Sequence, residues 1–256
     1  MYTNIQLHNN TLIFLSIFSS QGGIWLWTFQ SGGKRLSTKD LVYLELKNRI
    51  IEGFLKPNQS VNEDQLAAEL EVSRTPVREA VQRLETEELI IRLPNGRLKV
   101  APISAREVNE IFAVRGLLEG LVAKEAIQKA GDEDIRELGE ITVKIVEAAE
   151  QDRRSDVVRY GSEFHAFLYR LSGNKTAVKI LNQLNDHIAR YRRLGPTRNL
   201  ERSRQAAREH QEMFEAARNR DATLVEELMR RHISNSLAAA IESIGHYLAE
   251  NNAQED

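Results

Sequence analysis

The sequence predicts a mainly α-helical protein in two folded parts: a compact N-terminal part of three helices plus a β-hairpin, then an all-helical bundle. Three observations lead to this prediction. Two short helical stretches between residues 62 and 84 are followed by two extended apolar runs on either side of Asn95-Gly96. Beyond Pro102, apolar residues recur at helical spacing in six successive stretches, without strand-like alternation. The 256 residues give room for two modest domains.

Changes in this pattern predict four regions: an extension at 1–35, a first folded part at 36–103, a helical part at 104–250 and a tail at 251–256. The first 33 residues carry no charge, and their apolar patches are split by a polar run. A secretory signal begins with a basic region and a membrane span is uninterrupted, so the extension matches neither. We interpret it as disordered or artefactual, with a membrane-associated segment as the alternative.

Composition excludes several kinds of site. The chain has no cysteine, which excludes disulfides, thiolate metal sites and cysteine nucleophiles and suits a reducing cytoplasm. Because no apolar stretch is long enough to span a bilayer, we expect no membrane partner. The net charge is −2, so any affinity for nucleic acid has to come from local clusters of basic residues.

A helix-turn-helix is predicted for residues 62–84. The two helices share an apolar inner face, made of Leu66, Ala67, Leu70, Val77, Val81 and Leu84. Ser73 or Thr75 can cap the second helix. Arg74, Thr75 and Arg78 then project from its N-terminal turns, which is where a recognition helix meets base edges and phosphates.

A basic β-hairpin is predicted to follow. Asn95-Gly96 between two extended runs is a strong hairpin signal. Arg97, together with Arg92 and Lys99, makes this hairpin basic, as expected for a wing that touches the sugar-phosphate backbone. Any helical domain can carry a solvated arginine face or end in a hairpin, but the order of these elements favours a winged helix-turn-helix with Asn95, Gly96 and Arg97 near DNA.

At this point the sequence resembles the GntR family of bacterial transcription regulators. The residues that carry the resemblance are Glu63, Leu66-Ala67, Val72 to Ala80 and Leu84-Glu85, then Arg115, Glu119, Glu163 to His165, Ser172 to Asn174, Glu209-His210 and Met229 to His232. The second group is similar to the FadR-like subgroup, whose helical effector domain is called FCD. The resemblance implies a homodimer, more often a repressor, whose operator binding changes when a small organic acid binds.

The same resemblance implies DNA contacts by Ser73, Arg74, Thr75, Arg78 and Gly96. Asp64 departs from the family pattern, because many relatives present an arginine to DNA at this position. The departure bears on the base preference of the protein rather than on DNA binding itself.

Three histidines lie on apolar helix faces: His165, His210 and His232. If the last two helices form a hairpin that turns at residues 219–221, His210 and His232 lie within about 3 Å of each other along the bundle axis. With His165 on another inner face, the three imidazoles can converge between helices, where bundles build such sites. His187 can face the same cavity.

The resemblance implies a divalent metal on one Asp and three His, and the three histidine positions match. The Asp position, four residues before His165, holds Gly161. Three imidazoles still suit zinc or nickel, and a metal-free pocket lined by histidines is the alternative. Arg115 can form a surface ion pair with Glu119, four residues later. The resemblance favours the other interpretation, in which Arg115 points inward and binds the effector carboxylate.

Two other functions fit the same residues. Three histidines around a metal with open positions also suit a hydrolase or hydratase, with Glu163 or Glu209 as general base. A helical interaction module without an effector would leave the inner histidines without a purpose.

Overall fold

The computed structural model describes residues 36–192 and 200–252. The extension at 1–35, the helix stop expected at Gly195-Pro196 and the last four residues of the tail lie outside the described residues. The described parts of the chain are mainly α-helical with one small sheet, which confirms the predicted fold class.

The first part of the chain contains three helices and three strands: α1 (Thr38–Ile51), β1 (Ser60–Val61), α2 (Glu63–Glu69), α3 (Arg74–Thr86), β2 (Ile90–Arg92) and β3 (Leu98–Val100). The rest of the described chain forms six helices: α4 (Ala105–Lys129), α5 (Asp132–Glu150), α6 (Arg154–Ser172), α7 (Lys175–Arg192), α8 (Leu200–Arg218) and α9 (Ala222–Asn252). The chain divides into two compact units, of which the second takes residues 51–57 together with those from Pro102 onward. None of the described helices is long and apolar enough to cross a membrane.

In the first unit, α2 and α3 form the helix-turn-helix. The side chain of Asn62 caps α2 by accepting hydrogen bonds from the backbone N–H groups of Asp64 and Gln65, at 2.9 and 3.1 Å. Ser73 occupies the N-cap position of α3 in an extended conformation, but its side chain makes no capping hydrogen bond. The apolar face of α3 is buried completely at Val77, Val81 and Leu84, as the sequence predicts.

The three strands pair antiparallel in the order β1-β3-β2. The predicted hairpin is β2 and β3, while β1 is a third strand that the sequence did not indicate. The hairpin loop is closed by two backbone hydrogen bonds of 2.8 Å, from Gly96 N–H to Leu93 O and from Leu93 N–H to Arg97 O. Gly96 has a φ of +80°, whereas Asn95 keeps an ordinary negative φ. The turn is therefore a three-residue loop that ends on a left-handed glycine.

The second unit is a bundle in which α4 packs on α6, α7 and α9, while α5 packs on α6 and α8. Ser104 caps α4 by accepting the backbone N–H of Glu107 at 3.3 Å. The turn between α8 and α9 falls at residues 219–221, as predicted, and Arg220 takes a left-handed φ of 59° there. Helix α9 continues to Asn252, past the predicted start of the tail.

Candidate functional sites

A groove of about 390 Å³ in the first unit is bounded by the starts of α2 and α3 and by the hairpin. Four of the predicted DNA contacts line it: Arg74, Arg78, Gly96 and Arg97. The other three, Ser73, Thr75 and Asn95, are exposed but do not line it.

The cations around this groove differ in how they are held. Arg74 forms an ion pair with Asp64, and Arg92 donates from Nε and Nη2 to the Glu85 carboxylate at 3.0 and 2.7 Å. Arg92 is thus neutralised by α3. Within the described residues, no hydrogen bond or ion pair engages the side chain of Arg78 or Arg97, so these two guanidinium groups keep all their donors.

Asn95 has a structural role in the hairpin. Its Oδ1 accepts the backbone N–H of Arg97 at 3.0 Å. This hydrogen bond shapes the turn that presents Arg97 and the bare backbone of Gly96 at the groove.

The three predicted histidines come together in the second unit. His165 lies on α6, His210 on α8 and His232 on α9, and all three are buried. Their ring centroids are separated by 5.6 Å (His165–His210), 5.3 Å (His165–His232) and 4.6 Å (His210–His232). One nitrogen from each ring can be chosen so that the three atoms lie within 4.8 Å of one another, which is close enough to hold one metal ion.

Each ring has an oxygen at its Nδ1. His165 Nδ1 lies 2.9 Å from Glu119 Oε2, His232 Nδ1 lies 2.5 Å from Glu209 Oε2, and His210 Nδ1 lies 2.7 Å from the backbone oxygen of Ala206. A carboxylate or carbonyl oxygen can only accept a hydrogen bond, so each neutral ring donates from an N–H at Nδ1 and presents the lone pair of Nε2. Nε2 of His210 is buried and has no partner among the described residues.

Burial keeps two of these rings neutral. It lowers the pKa of His232 to about 4; Glu209 opposes this shift, while His165 and Arg202 act in the same direction as burial. Burial likewise holds the pKa of His210 well below its usual range. Both imidazoles therefore offer free lone pairs at neutral pH.

Two buried carboxylates support the histidines from outside. Burial acts to raise the pKa of Glu119, but His165, the Arg115 guanidinium and a hydrogen bond of 2.7 Å from Tyr169 hold it well below its usual range. Arg115 Nε and Nη2 lie 3.1 and 3.0 Å from Glu119 Oε1. The side chains form a buried chain that runs from Arg115 through Glu119 to His165.

Glu209 has an equivalent environment. Its Oε2 accepts hydrogen bonds from both Nη1 and Nη2 of Arg202 at 3.1 Å, and its Oε1 accepts one from Asn235 Nδ2 at 2.7 Å. Burial opposes the ionised form, yet His232, Arg202 and Asn235 together lower the pKa of Glu209. A carboxylate that accepts from a metal-binding imidazole fixes its tautomer and raises its basicity as a ligand.

A pocket of about 100 Å³ opens onto the three histidines. Its walls are mostly apolar, and its remaining lining includes Arg202, Ser203 and Ser236. Gly161 also lines it, and a Cβ built on this residue would lie 3.5 Å from Nε2 of His210. The residues that line the pocket are Phe112, Val157, Val158, Gly161, Ser162, His165, Tyr191, Arg202, Ser203, Ala206, His210, His232, Ser236, Ala239 and Ala240.

Neither Arg115 nor His187 is among the residues that line this pocket. Arg115 is only 1% exposed, so its ion pair with Glu119 is internal rather than on the surface, and its Nη1 has no partner among the described residues. It is not among the residues that line the pocket. Nδ1 of His187 lies 3.2 Å from Glu107 Oε1, also away from the three histidines.

Sequence reasoning did not identify the supporting roles of Glu119, Glu209, Tyr169 and Arg202. A signal existed for Arg202, because positions 202, 206 and 210 recur at intervals of four and share one face of α8. The contact of Glu119 with His165 spans 46 residues and has no local signal.

Comparison with known proteins agrees with this architecture. Residues 38–100 match the family described as bacterial regulatory proteins, gntR family, and residues 110–235 match the FCD domain. The HTH-type transcriptional regulator YdhC of Bacillus subtilis (strain 168) is 30% identical over 211 residues, which cover 81% of this chain and 91% of that protein. The HTH-type transcriptional repressor GlaR of Escherichia coli (strain K12) is 27% identical over 199 residues, which cover 75% and 90% of the two chains.

Among solved structures, E. coli McbR/YncC shares the fold, with a TM-score of 0.67 at 22% identity over 82% of this chain and all of that one. The family and these relatives are transcription regulators, which removes the hydrolase and hydratase alternatives for the three histidines. The chain therefore belongs to the GntR family of bacterial transcription regulators, with a GntR helix-turn-helix domain followed by an FCD domain.

Proposed function

We propose that the protein is a repressor that binds operator DNA as a homodimer and responds to a small carboxylate held beside a divalent ion in the histidine pocket. The observation that carries this proposal is the convergence of three buried imidazoles at one pocket. The relative GlaR is named as a repressor, which favours repression here. Because operators lie on the chromosome, the site of action would be the cytoplasm.

The groove of the first unit supports the DNA-binding role. In a winged helix-turn-helix, the N-terminal residues of the recognition helix enter the major groove and the wing contacts the backbone. We assign Ser73, Arg74, Thr75 and Arg78 to the first contact, and the loop Asn95 to Arg97 to the second. The unengaged guanidinium groups of Arg78 and Arg97 suit guanine edges and phosphates.

The donor set fits a late first-row divalent ion, with zinc or nickel preferred. His165, His210 and His232 would hold it through Nε2, since their Nδ1 atoms are engaged. Nε2 of His210 is buried without a partner among the described residues, and a metal ion would supply that partner. Gly161 offers no ligand, so we expect weaker metal binding than at a four-ligand site. A bound ion would add positive charge that attracts a carboxylate.

The pocket limits the kind of effector. A volume of about 100 Å³ with mostly apolar walls suits a small organic acid that has a short apolar body. Arg202 lines the pocket and adds positive charge to it. For Arg115, we propose a role in effector binding that acts through Glu119, which it holds against His165.

An apolar stripe on α4 supports the homodimer. Val114, Leu117 and Leu121 are 45%, 57% and 38% exposed. Their spacing of three and four residues places them on one face of the helix. A second copy of the chain that packs on this stripe would remove apolar surface from water.

Selection of genomic DNA fragments by the purified protein, followed by sequencing and mobility shift, tests this proposal. We expect one preferred palindromic site, retarded as a dimer, whose affinity changes when a short carboxylic acid is added with zinc. His210→Ala should retain operator binding but lose the response to the acid, because it removes a metal ligand and leaves the first unit intact. Binding without sequence preference, or a full response in excess chelator, would contradict the DNA or the metal part respectively.

A further inference from the structure

Gly161 leaves an open place beside the three histidines. It lies in α6 one helical turn before His165, and a Cβ at this position would be 3.5 Å from both Cε1 and Nε2 of His210. A side chain at 161 would therefore extend toward the atoms that face the pocket. In its absence, this part of the pocket wall is bare backbone.

Packing does not require a glycine at this position. A Cβ at Gly120 would come within 2.8 Å of Arg230 Nε, and one at Gly139 within 2.9 Å of Phe214 Cζ, so both glycines permit close helix contacts. The 3.5 Å contact at Gly161 is an ordinary van der Waals distance. Glycine destabilises a helix relative to alanine, and packing does not require it here. What Gly161 provides is therefore open space beside His210.

The charges at the site favour an external anion in that space. Among the residues that the structure describes, no acidic side chain lines the pocket. The nearby carboxylates, Glu119 and Glu209, lie behind the imidazoles and are partly offset by Arg115 and Arg202. A divalent ion on these three imidazoles would thus keep most of its charge toward the pocket.

We propose that the carboxylate of the effector occupies the space over Gly161 and completes the coordination of the metal, so that metal and carboxylate bind with positive coupling. This inference rests on the proposed metal site. Coupling between two ligands is reciprocal: the factor by which the carboxylate tightens metal binding is the factor by which the metal tightens carboxylate binding. The regulator would then respond to the pair rather than to either ligand alone.

Calorimetric titration of the metal-free full chain with zinc tests the coupling. Acetate serves as the probe and acetamide as its neutral counterpart, with blank titrations to account for zinc acetate in solution. We expect saturating acetate to lower the dissociation constant for zinc by about tenfold or more, and acetamide to leave it unchanged. Acetate alone should give no measurable binding to the metal-free protein.

Two substitutions at one position locate the effect. Gly161→Asp should bind zinc tightly without acetate and lose the response to acetate, because its own carboxylate takes the same place. Gly161→Ala should keep the response, since its Cβ only reaches van der Waals contact with His210. Thermal unfolding of both variants checks that the helix persists, and the alanine variant remains informative if the aspartate variant does not fold.

The outcomes separate this inference from the proposed function. Zinc binding to the wild type that acetate does not affect would overturn the coupling and leave the metal site standing. Full acetate coupling in Gly161→Asp would overturn the placement over Gly161. Absence of zinc binding to the wild type, with and without acetate, would overturn both the metal site and this inference.

Discussion

Oε2 of Glu209 lies 2.5 Å from Nδ1 of His232, and the same oxygen is held by the guanidinium of Arg202. The carboxylate sets which nitrogen of His232 faces the pocket, although Glu209 is not among the residues that line the pocket. Its neighbour in sequence, His210, has a backbone oxygen in the equivalent place. In the proposed metal site, residues 209 and 210 would therefore act in two different ways, Glu209 as support and His210 as ligand.

Replacement of Glu209 should weaken metal binding without removing a ligand. Glu209→Gln removes the negative charge of the carboxylate that contacts His232, Arg202 and Asn235. We therefore expect about a ten- to hundredfold increase in the dissociation constant for zinc. Glu212→Gln is the matched control, because this residue is exposed on the same helix and pairs only with Arg231 among the described contacts. Equal zinc affinities of the two variants, measured by calorimetry, would rule out a supporting role for Glu209.

The metal-free protein should lose stability as the pH falls from about 6.5 to about 4. In this range an unfolded histidine binds a proton that folded His232, with its pKa near 4, does not. This lowers the free energy of unfolding. At about 1.4 kcal/mol for each pKa unit, the loss reaches roughly 3 kcal/mol once the pH is below both pKa values. Urea unfolding of wild type and His232→Asn at several pH values measures this term, which should be smaller in the variant. A wild-type midpoint that does not change over this range would contradict the neutral, buried state of His232.

Arg78 and Arg97 should differ in how they contribute to DNA binding. Arg78→Ala is expected to cost about 1–3 kcal/mol of specific binding if Arg78 reads a base. Arg97→Ala should weaken binding to all sequences alike and lower the salt slope by about one. Mobility shifts with operator and unrelated DNA at several salt concentrations distinguish the two. An unchanged operator affinity of Arg78→Ala at fixed salt would remove Arg78 from the recognition surface.

Asp64 should restrain DNA binding through its ion pair with Arg74. Asp64→Asn removes a negative charge from the groove and frees a guanidinium group. We expect tighter binding to operator and unrelated DNA alike, with a salt slope steeper by about one. Glu79→Gln removes the same charge from an exposed position of α3 outside the groove and should have less effect. If the two variants bind equally well, net charge rather than the Asp64–Arg74 pair is responsible.

The elements that the sequence predicts best are those with a repeated local pattern. The face of Val77, Val81 and Leu84 repeats at helical spacing, and its complete burial confirms that pattern. The approach of His210 to His232 follows from a short turn between adjacent helices, because equal distances from the turn place residues side by side. Strand β1 has two residues, too few to show the alternation that identifies a strand.

The features that the sequence does not predict depend on contacts between distant helices. Arg115 and Glu119 have the spacing of a surface ion pair, and the packing of α6, α7 and α9 on α4 makes that pair internal. The same packing brings His165 to Glu119. Likewise, the sequence indicates that Arg92 is a basic wing residue, but in the fold Glu85 on α3 forms an ion pair with it. Charge in a sequence gives the type of interaction, and the partner is decided by the tertiary fold.

The described wall of the histidine pocket carries no acidic side chain, and this has a consequence for the protein inside a cell. Magnesium and calcium are abundant, but they are hard ions that require several oxygen ligands. Magnesium and calcium would bind weakly to three imidazole nitrogens, whereas scarcer ions such as zinc and nickel prefer these donors. A regulator built in this way would be insulated from changes in the common cations, and its control of transcription would depend on trace-metal supply and on the acid it detects.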